Sequence, residues 1–230
     1  MKITYLHQYF ATPQSAAGTR SYEFARRLIA NGHSVRMITS PAHMPKQYQT
    51  LTQTTEIKID GISVLIIPVA YSNAMSFSQR IMAFVRFAAL ASYHAMRQPS
   101  DVIYATSTPL TIAIPGIAAK LWRRIPMVFE VRDLWPELPI AVGALKNPVF
   151  RWAALALEWI AYHAAAHVVA LSPGMAEGVI KRGIPASRVT VIPNSSDVDK
   201  FDVPPETGSP IREALGITPD QPLVVYTGTF

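Results

Sequence analysis

Residues 1–39, MKITYLHQYFATPQSAAGTRSYEFARRLIANGHSVRMIT, decide the fold. Ile3–His7 and Val35–Thr39 are short apolar runs without the alternation of a half-solvated strand. Both of their faces should therefore be buried, as in a parallel sheet covered by helices. Between them, Tyr22, Ala25, Leu28 and Ile29 share one helical face, while Arg20, Glu23, Arg26 and Arg27 point elsewhere. Gly32 supplies the positive φ that ends such a helix. Strand, helix and strand make a βαβ unit.

The same texture recurs along the chain. Val102–Ala105, Met127–Val131, His167–Leu171 and Val189–Ile192 read as further buried strands. Glu56–Ile59 and Ser63–Val69 flank Asp60-Gly61, a two-residue hairpin signal, which predicts an antiparallel pair near an edge. Helices are predicted at Ser76–Arg97, Leu110–Arg123, Val149–Ala166 and Gly174–Arg182, with Pro115 expected to bend or break the second of these. The fold class is α/β: a doubly wound, mostly parallel, Rossmann-like sheet with right-handed crossovers. After Ile192 the chain becomes rich in Pro, Ser and Asp, then offers a helical piece at Ile211–Gly216 and a strand at Pro222–Thr227. This predicts a first domain over 1–197, a linker over 198–216, and the first strand of a truncated second Rossmann-like domain over 217–230.

Half of the 230 residues are apolar and 16% are charged, enough apolar material for a sizeable core and too little charge for long disordered tails. Lys and Arg number 21 against 15 Asp and Glu, a surplus that favours an anionic partner. The cations form no stripe along the sequence, which argues against nucleic-acid binding. The absence of cysteine excludes disulfides, zinc thiolate sites and thiol nucleophiles. Met1-Lys2 runs directly into a strand, with no apolar leader and cleavage site. Ile81–Ala91 is too short for the roughly 20 residues of a membrane span, and Trp152–Leu171 carries Glu158, His163 and His167. The expected location is the cytoplasm, including the inner face of its membrane.

In open parallel sheets, ligands sit at the carboxyl ends of the strands, near helix N-termini. Three loops answer to that rule. The first runs from His7 through Ala16-Ala17-Gly18-Thr19-Arg20, where small residues admit a ligand to the backbone and Arg20 could bond a phosphate; the alternative is an ordinary turn with Thr19 as cap. The second is Glu130-Val131-Arg132-Asp133-Leu134-Trp135-Pro136-Glu137, three charges closing an otherwise buried strand. Asp133 could orient hydroxyls or accept a proton; alternatively Arg132 pairs internally with Asp133 or Glu130. The third, Ile192-Pro193-Asn194-Ser195-Ser196-Asp197, has the composition of a structural turn.

Taken together these stretches resemble the N-terminal, acceptor-side half of retaining GT-B-fold glycosyltransferases of family four. The resemblance rests on Tyr9-Phe10-Ala11-Thr12-Pro13 with Gly18 and Arg20, Gly32-His33-Ser34-Val35, Asp60-Gly61-Ile62, the Glu130–Glu137 loop, Ala170-Leu171-Ser172, Ile192-Pro193-Asn194 with Asp197 and Phe201, and Val225-Tyr226-Thr227-Gly228-Thr229-Phe230. The Glu130–Glu137 version is similar to that of enzymes building bacterial surface polysaccharides. Two departures stand out: Ser195 where the family has Gly, and Ala16-Ala17-Gly18 in place of a Gly pair.

The resemblance implies transfer of a sugar from a nucleotide-sugar to a glycan or polyprenyl-linked acceptor, with retention, and neither metal nor cofactor. It places Asp133 at the catalytic floor as an orienting carboxylate, with His7, Gly18, Thr19, Arg20, Arg132 and Glu137 on the acceptor side. Pro193, Asn194 and Asp197 would form the interdomain hinge, and Gly228 and Thr229 would begin the donor diphosphate loop. Most of the donor pocket would lie beyond Phe230, so this piece alone is expected to transfer no sugar. Competing implications are a non-catalytic acceptor-binding subunit of a split transferase and a sugar-nucleotide epimerase of the same fold. The mixed apolar and basic helix Ser76–Arg97 is a candidate for peripheral membrane contact, against plain packing on the sheet with its arginines reaching solvent.

Overall fold

The computed structural model describes residues 1–225 except 16, 73, 138–139, 141–142, 144–146, 197, 199–201 and 219. Eight strands form one sheet: β1 (Lys2–Leu6), β2 (Ser34–Thr39), β3 (Thr55–Ile59), β4 (Ile62–Ile66), β5 (Val102–Thr106), β6 (Met127–Val131), β7 (His167–Ala170) and β8 (Val189–Val191). Their order is β3-β4-β2-β1-β5-β6-β7-β8. Every neighbouring pair is parallel except the hairpin β3–β4, which turns through Asp60 and Gly61, both at positive φ.

Alternation along each strand sends successive side chains to opposite faces. Tyr5, Met37 and Val64 belong to one core cluster, and Leu6, Ile38 and Leu65 to the other. Register holds these sets in line: Tyr5 lies beside Met37 and Tyr104, Leu6 beside Ile38 and Ala105. Helix α1 (Arg20–Ala30) covers the first face with Tyr22 and Ala25. Its end is the expected one, with Gly32 at φ 81°. A single turn, α2 (Lys46–Gln49), follows β2.

The second face is covered by α3 (Phe77–Arg97), α4 (Ala113–Arg123) and α5 (Pro148–Ala164), with α6 (Pro173–Lys181) adding Val179. Small residues make close packing possible. Helix α3 buries Ala83, Ala88, Ala91 and Ala95 around Phe87. Gly116 of α4 lies so near the sheet that a Cβ there would come 3.3 Å from Ala105 Cβ and 2.7 Å from Met127 Sδ. Helix starts carry the caps their sequences suggest: Ser76 and Gln79 form a capping box, and Ser172 accepts from Met175 N–H.

The predicted helix Leu110–Arg123 is divided ahead of Pro115, into a 3₁₀ turn over Leu110–Ile112 and α4, so that the proline falls in the first turn of α4, where backbone N–H groups have no intrahelical partner to lose.

The chain divides into two units, Met1–Pro193 and Asn194–Phe230. The second, taken by itself, has a 3₁₀ turn at Pro205–Gly208 and helix α7 (Ser209–Ala214), with Arg212 donating to the Thr218 and Gln221 carbonyls. Residues 222–225 form no strand, and the rest of the predicted strand lies outside the described residues.

Candidate active site

The carboxyl ends of β1, β5 and β6 meet the N-terminus of α1. Phe129 and Val131 point toward the α3–α5 layer, so Glu130 between them faces α1 and is fully buried. Arg20, the first residue of α1, donates from Nε and Nη2 to Glu130 Oε1 at 3.0 and 2.9 Å. Tyr104 donates to the same oxygen at 3.1 Å, and Thr106 donates to Oε2 at 2.7 Å. Burial, with Tyr5 and Glu130 beside it, pushes the Tyr104 phenol well above its ordinary value, so it remains a donor. Arg20 also donates to the Pro193 and Ile192 carbonyls, each at 2.8 Å, and lies over the Phe24 ring. Of the alternatives left open for this loop, pairing of Arg132 with Glu130 is not what forms: Glu130 takes its arginine from a helix 110 residues earlier.

A second set of contacts lies alongside. His7 Nδ1 is 2.8 Å from Ser21 Oγ, and its Nε2 is 3.4 Å from Arg132 Nη1. A guanidinium can only donate, so Nε2 accepts and Nδ1–H donates to Ser21. Burial, reinforced by Arg132 and His43, holds the His7 pKa well below its ordinary value and keeps the ring neutral. Arg132 N–H donates to Ser107 Oγ at 2.9 Å, and Ser107 N–H to the Glu130 carbonyl at 2.8 Å, which ties the β5 loop to the β6 loop. Asp133 is partly exposed; its Oδ2 accepts from Thr108 Oγ1 at 3.2 Å, and its carbonyl accepts from Trp135 N–H at 2.9 Å. Thr108 itself sits at φ 133°, a conformation that bulky residues seldom adopt without a local constraint.

Several expected site residues thus converge. His7, Arg20 and Arg132 belong to connected hydrogen-bond networks, with Asp133 next to Arg132 at the rim. Gly18 is exposed, and a Cβ on it would meet nothing within 4 Å, so the backbone ahead of α1 is open to an approaching group. Thr19 occupies the N-cap position of α1 without a side-chain cap bond. Glu137 lies elsewhere: it is 3.3 Å from Arg182, which also bridges to buried Glu158 at 3.1 Å. Pro193 contributes its carbonyl to Arg20, and Asn194 is exposed. Asp197, Gly228 and Thr229 lie outside the described residues. Among the described residues, no three His, Cys, Asp or Glu gather closely enough to hold a metal ion.

Four participants escaped the sequence reading: Ser21, Ser107, Thr108 and the central role of Glu130. The signal for two of them was available. Thr106-Ser107-Thr108 is a hydroxyl run at the carboxyl end of β5, the same position that singled out the other loops.

Comparison with known proteins gives the family. Residues 15–195 match the glycosyl transferase 4-like domain. The chain belongs to that family. The "Putative colanic acid biosynthesis glycosyl transferase WcaI" of Escherichia coli is 24% identical over 242 residues, covering 99% of this chain and 58% of that relative. An Anabaena HepE structure in complex with UDP and glucose superposes with a TM-score of 0.57 at 22% identity, over 94% of this chain and 50% of that one. Sucrose-phosphate synthase from Thermosynechococcus elongatus gives 0.64 at 13% identity, over 96% and 54%. These likenesses identify the glycosyl transferase 4-like domain with the GT-B type of α/β fold. The chain spans about half the length of the relatives it matches.

Proposed function

We propose that this glycosyl transferase 4-like domain is the acceptor-side part of a retaining glycosyltransferase. The enzyme would move a sugar from a nucleotide-sugar to a glycan or polyprenyl-linked acceptor in bacterial surface polysaccharide assembly, at the cytoplasmic face of the membrane. The observation that carries the reading is the partly exposed Asp133 carboxylate, held by Thr108 and next in sequence to Arg132, whose guanidinium cation meets the neutral His7 ring, together with the open backbone at Gly18 ahead of α1. A carboxylate so held can orient the hydroxyls of a sugar, and Arg132 can face an anionic leaving group. WcaI's description as a colanic acid biosynthesis glycosyl transferase and HepE's bound UDP and glucose support the donor and product classes.

In the proposed reaction the acceptor oxygen bonds to the anomeric carbon, the bond from that carbon to the diphosphate breaks, and nucleoside diphosphate departs with the acceptor's proton delivered to it or to solvent. Glu130 and Arg20 act here as a buried frame. Pro193, Asn194 and Asp197 as a hinge, and Gly228 and Thr229 as the start of the donor loop, remain part of the proposal.

The test is to assay the full-length gene product with a panel of nucleotide-sugars and lipid-linked acceptors. Acceptor-dependent release of nucleoside diphosphate, with a product of unchanged anomeric configuration by NMR, is the expected result. Interconversion of the nucleotide-sugar without an acceptor would assign an epimerase instead, and tight acceptor binding without turnover would assign a binding subunit.

A further inference from the structure

The loop that carries Asp133 is held from two directions. On the β5 side, Ser107 Oγ accepts from Arg132 N–H at 2.9 Å, and Thr108 donates to Asp133 Oδ2 at 3.2 Å. On the other side stands α6. Leu134, next in sequence to Asp133, lies against Gly178, and Glu137 pairs with Arg182 at 3.3 Å. Gly178 and Arg182 are four residues apart and share one face at the end of the helix, where Arg182 is the C-cap. Arg182 also reaches Glu158 of α5 at 3.1 Å, which ties the Glu137 clasp to a carboxylate side chain only 2% exposed.

Gly178 is an unfavourable choice for the helix itself. Glycine inside a helix is less stable than alanine, and α6 has only nine residues to absorb the loss. Its φ lies outside the positive range, so the backbone conformation does not demand glycine. Packing does. A Cβ at this position would lie 3.1 Å from Leu134 Cδ2 and 3.3 Å from Cδ1, closer than ordinary van der Waals contact, with Cγ at an unstrained 3.8 Å. At Gly174, one turn earlier, a Cβ would meet nothing within 4 Å. Of the two glycines in α6, only the one against Leu134 is tightly approached. Leu134 and Trp135 pack on the core between the sheet and α3–α5, which limits how far Leu134 can withdraw. A side chain at position 178 would therefore shift Leu134, and the backbone of Asp133 with it.

We propose that α6 is the positioning wall of Asp133: Gly178 admits Leu134 and Arg182 clasps Glu137, so that the carboxylate is presented where Thr108 can hold it. Gly178 and Arg182 are positioning residues, since they act through Leu134 and Glu137 and touch no reacting atom. The role deepens the transferase reading and rests on Asp133 as the carboxylate that orients the sugar. Displacement of such a group by a fraction of an ångström lowers the rate while leaving substrate binding and the fold in place. Glycine at position 178 thus gives up helix stability for site geometry.

The experiment measures kcat, donor KM and the urea unfolding midpoint of the full-length enzyme and its variants. Gly178→Ala should lower kcat about threefold to tenfold, with donor KM within about twofold of wild type and a midpoint no lower. Leu134→Val withdraws both δ carbons and should restore most of that kcat in the Gly178→Ala background, a rescue that a merely structural helix position would not give. Glu137→Ala should lower kcat about twofold to threefold with little change in midpoint, because its ion pair is largely exposed. In the Asp133→Asn background, neither Gly178→Ala nor Glu137→Ala should lower kcat further. Unaltered kcat in Gly178→Ala, a fall that Leu134→Val does not reverse, or losses that multiply with that of Asp133→Asn would overturn the proposal. The two readings fail separately. Loss of rate in Asp133→Asn with none in Gly178→Ala removes only the role of α6. Absence of transfer by wild type, or unaltered kcat in Asp133→Asn, removes the reading on which that role rests.

Discussion

Arg20 and Glu130, 110 residues apart in sequence, form a buried ion pair whose side chains are 8% and 0% exposed. One guanidinium joins the first turn of α1 to the end of β6 and, through the Ile192 and Pro193 carbonyls, to the exit of β8. Arg20, a candidate for a ligand's phosphate, is held by the protein's own frame. Its engagement sets the distance between the two loops that line the site.

Removing one partner of such a pair leaves an uncompensated buried charge, which typically costs about 3–5 kcal/mol. Arg20→Ala is therefore expected to lower unfolding free energy in urea by that amount. Arg20→Met combined with Glu130→Gln should lose clearly less than the sum of its two single changes. Strictly additive losses would mean that the two side chains are not coupled.

His7 gives a pH signature. Its folded pKa lies well below the ordinary 6.5 because it is buried beside Arg132. Below about pH 6.5 the unfolded chain takes up a proton that the folded chain refuses, so the stability His7 contributes is complete above that pH and declines beneath it, at up to about 1.4 kcal/mol per pH unit until the folded pKa is reached. His7→Gln should be less stable than wild type at pH 8 by about 1 kcal/mol, from lost contacts with Ser21 and Arg132. The gap should narrow on acidification, and chemical denaturation at a series of pH values measures it. His43 and His94, also held below their ordinary pKa, titrate in both proteins and cancel in the difference. A gap that stays constant from pH 8 to pH 5 would contradict a buried, neutral His7.

Most of the fold was legible because strand burial leaves a plain mark: β1, β2, β5, β6, β7 and β8 appear as apolar runs, and Asp60-Gly61 fixes the hairpin. The strand-end rule pointed to the loops in which His7, Arg20 and Arg132 join connected hydrogen-bond networks. Partner choice was not legible. Whether Glu130 pairs with neighbouring Arg132 or with distant Arg20 depends on which face of β6 looks toward α1, and this is set by the register of β5 with β6 and by Phe129 and Val131 turning to the other core.

Gly116 offers a packing test. Its missing Cβ would be 3.3 Å from Ala105 Cβ, which belongs to a fully buried strand position and has little room to give. Gly116→Val should cost about 1–3 kcal/mol by overpacking, despite the better helix propensity of valine. Gly116→Ala should fall below that, since Met127 can rotate its thioether away while the helix gains propensity. Thermal unfolding of both variants orders them, and a valine variant as stable as wild type would show that α4 can lift from β5 without loss.

Asp133 and Thr108 carry the prediction closest to chemistry. If the carboxylate orients a sugar, Asp133→Asn in the full-length enzyme should lower kcat by about tenfold to a hundredfold while leaving unfolding free energy within about 1 kcal/mol of wild type, because the side chain is partly exposed and outside the core. Thr108→Val removes only the hydroxyl that steadies Oδ2 at 3.2 Å, so its effect on kcat should be smaller and in the same direction. In the Asp133→Asn background, Thr108→Val should then have little further effect on rate, since the carboxylate it positions is gone. Independent, multiplicative losses from the two changes would place Thr108 in direct contact with substrate, and an Asp133→Asn enzyme with unaltered kcat would remove this carboxylate from the reaction.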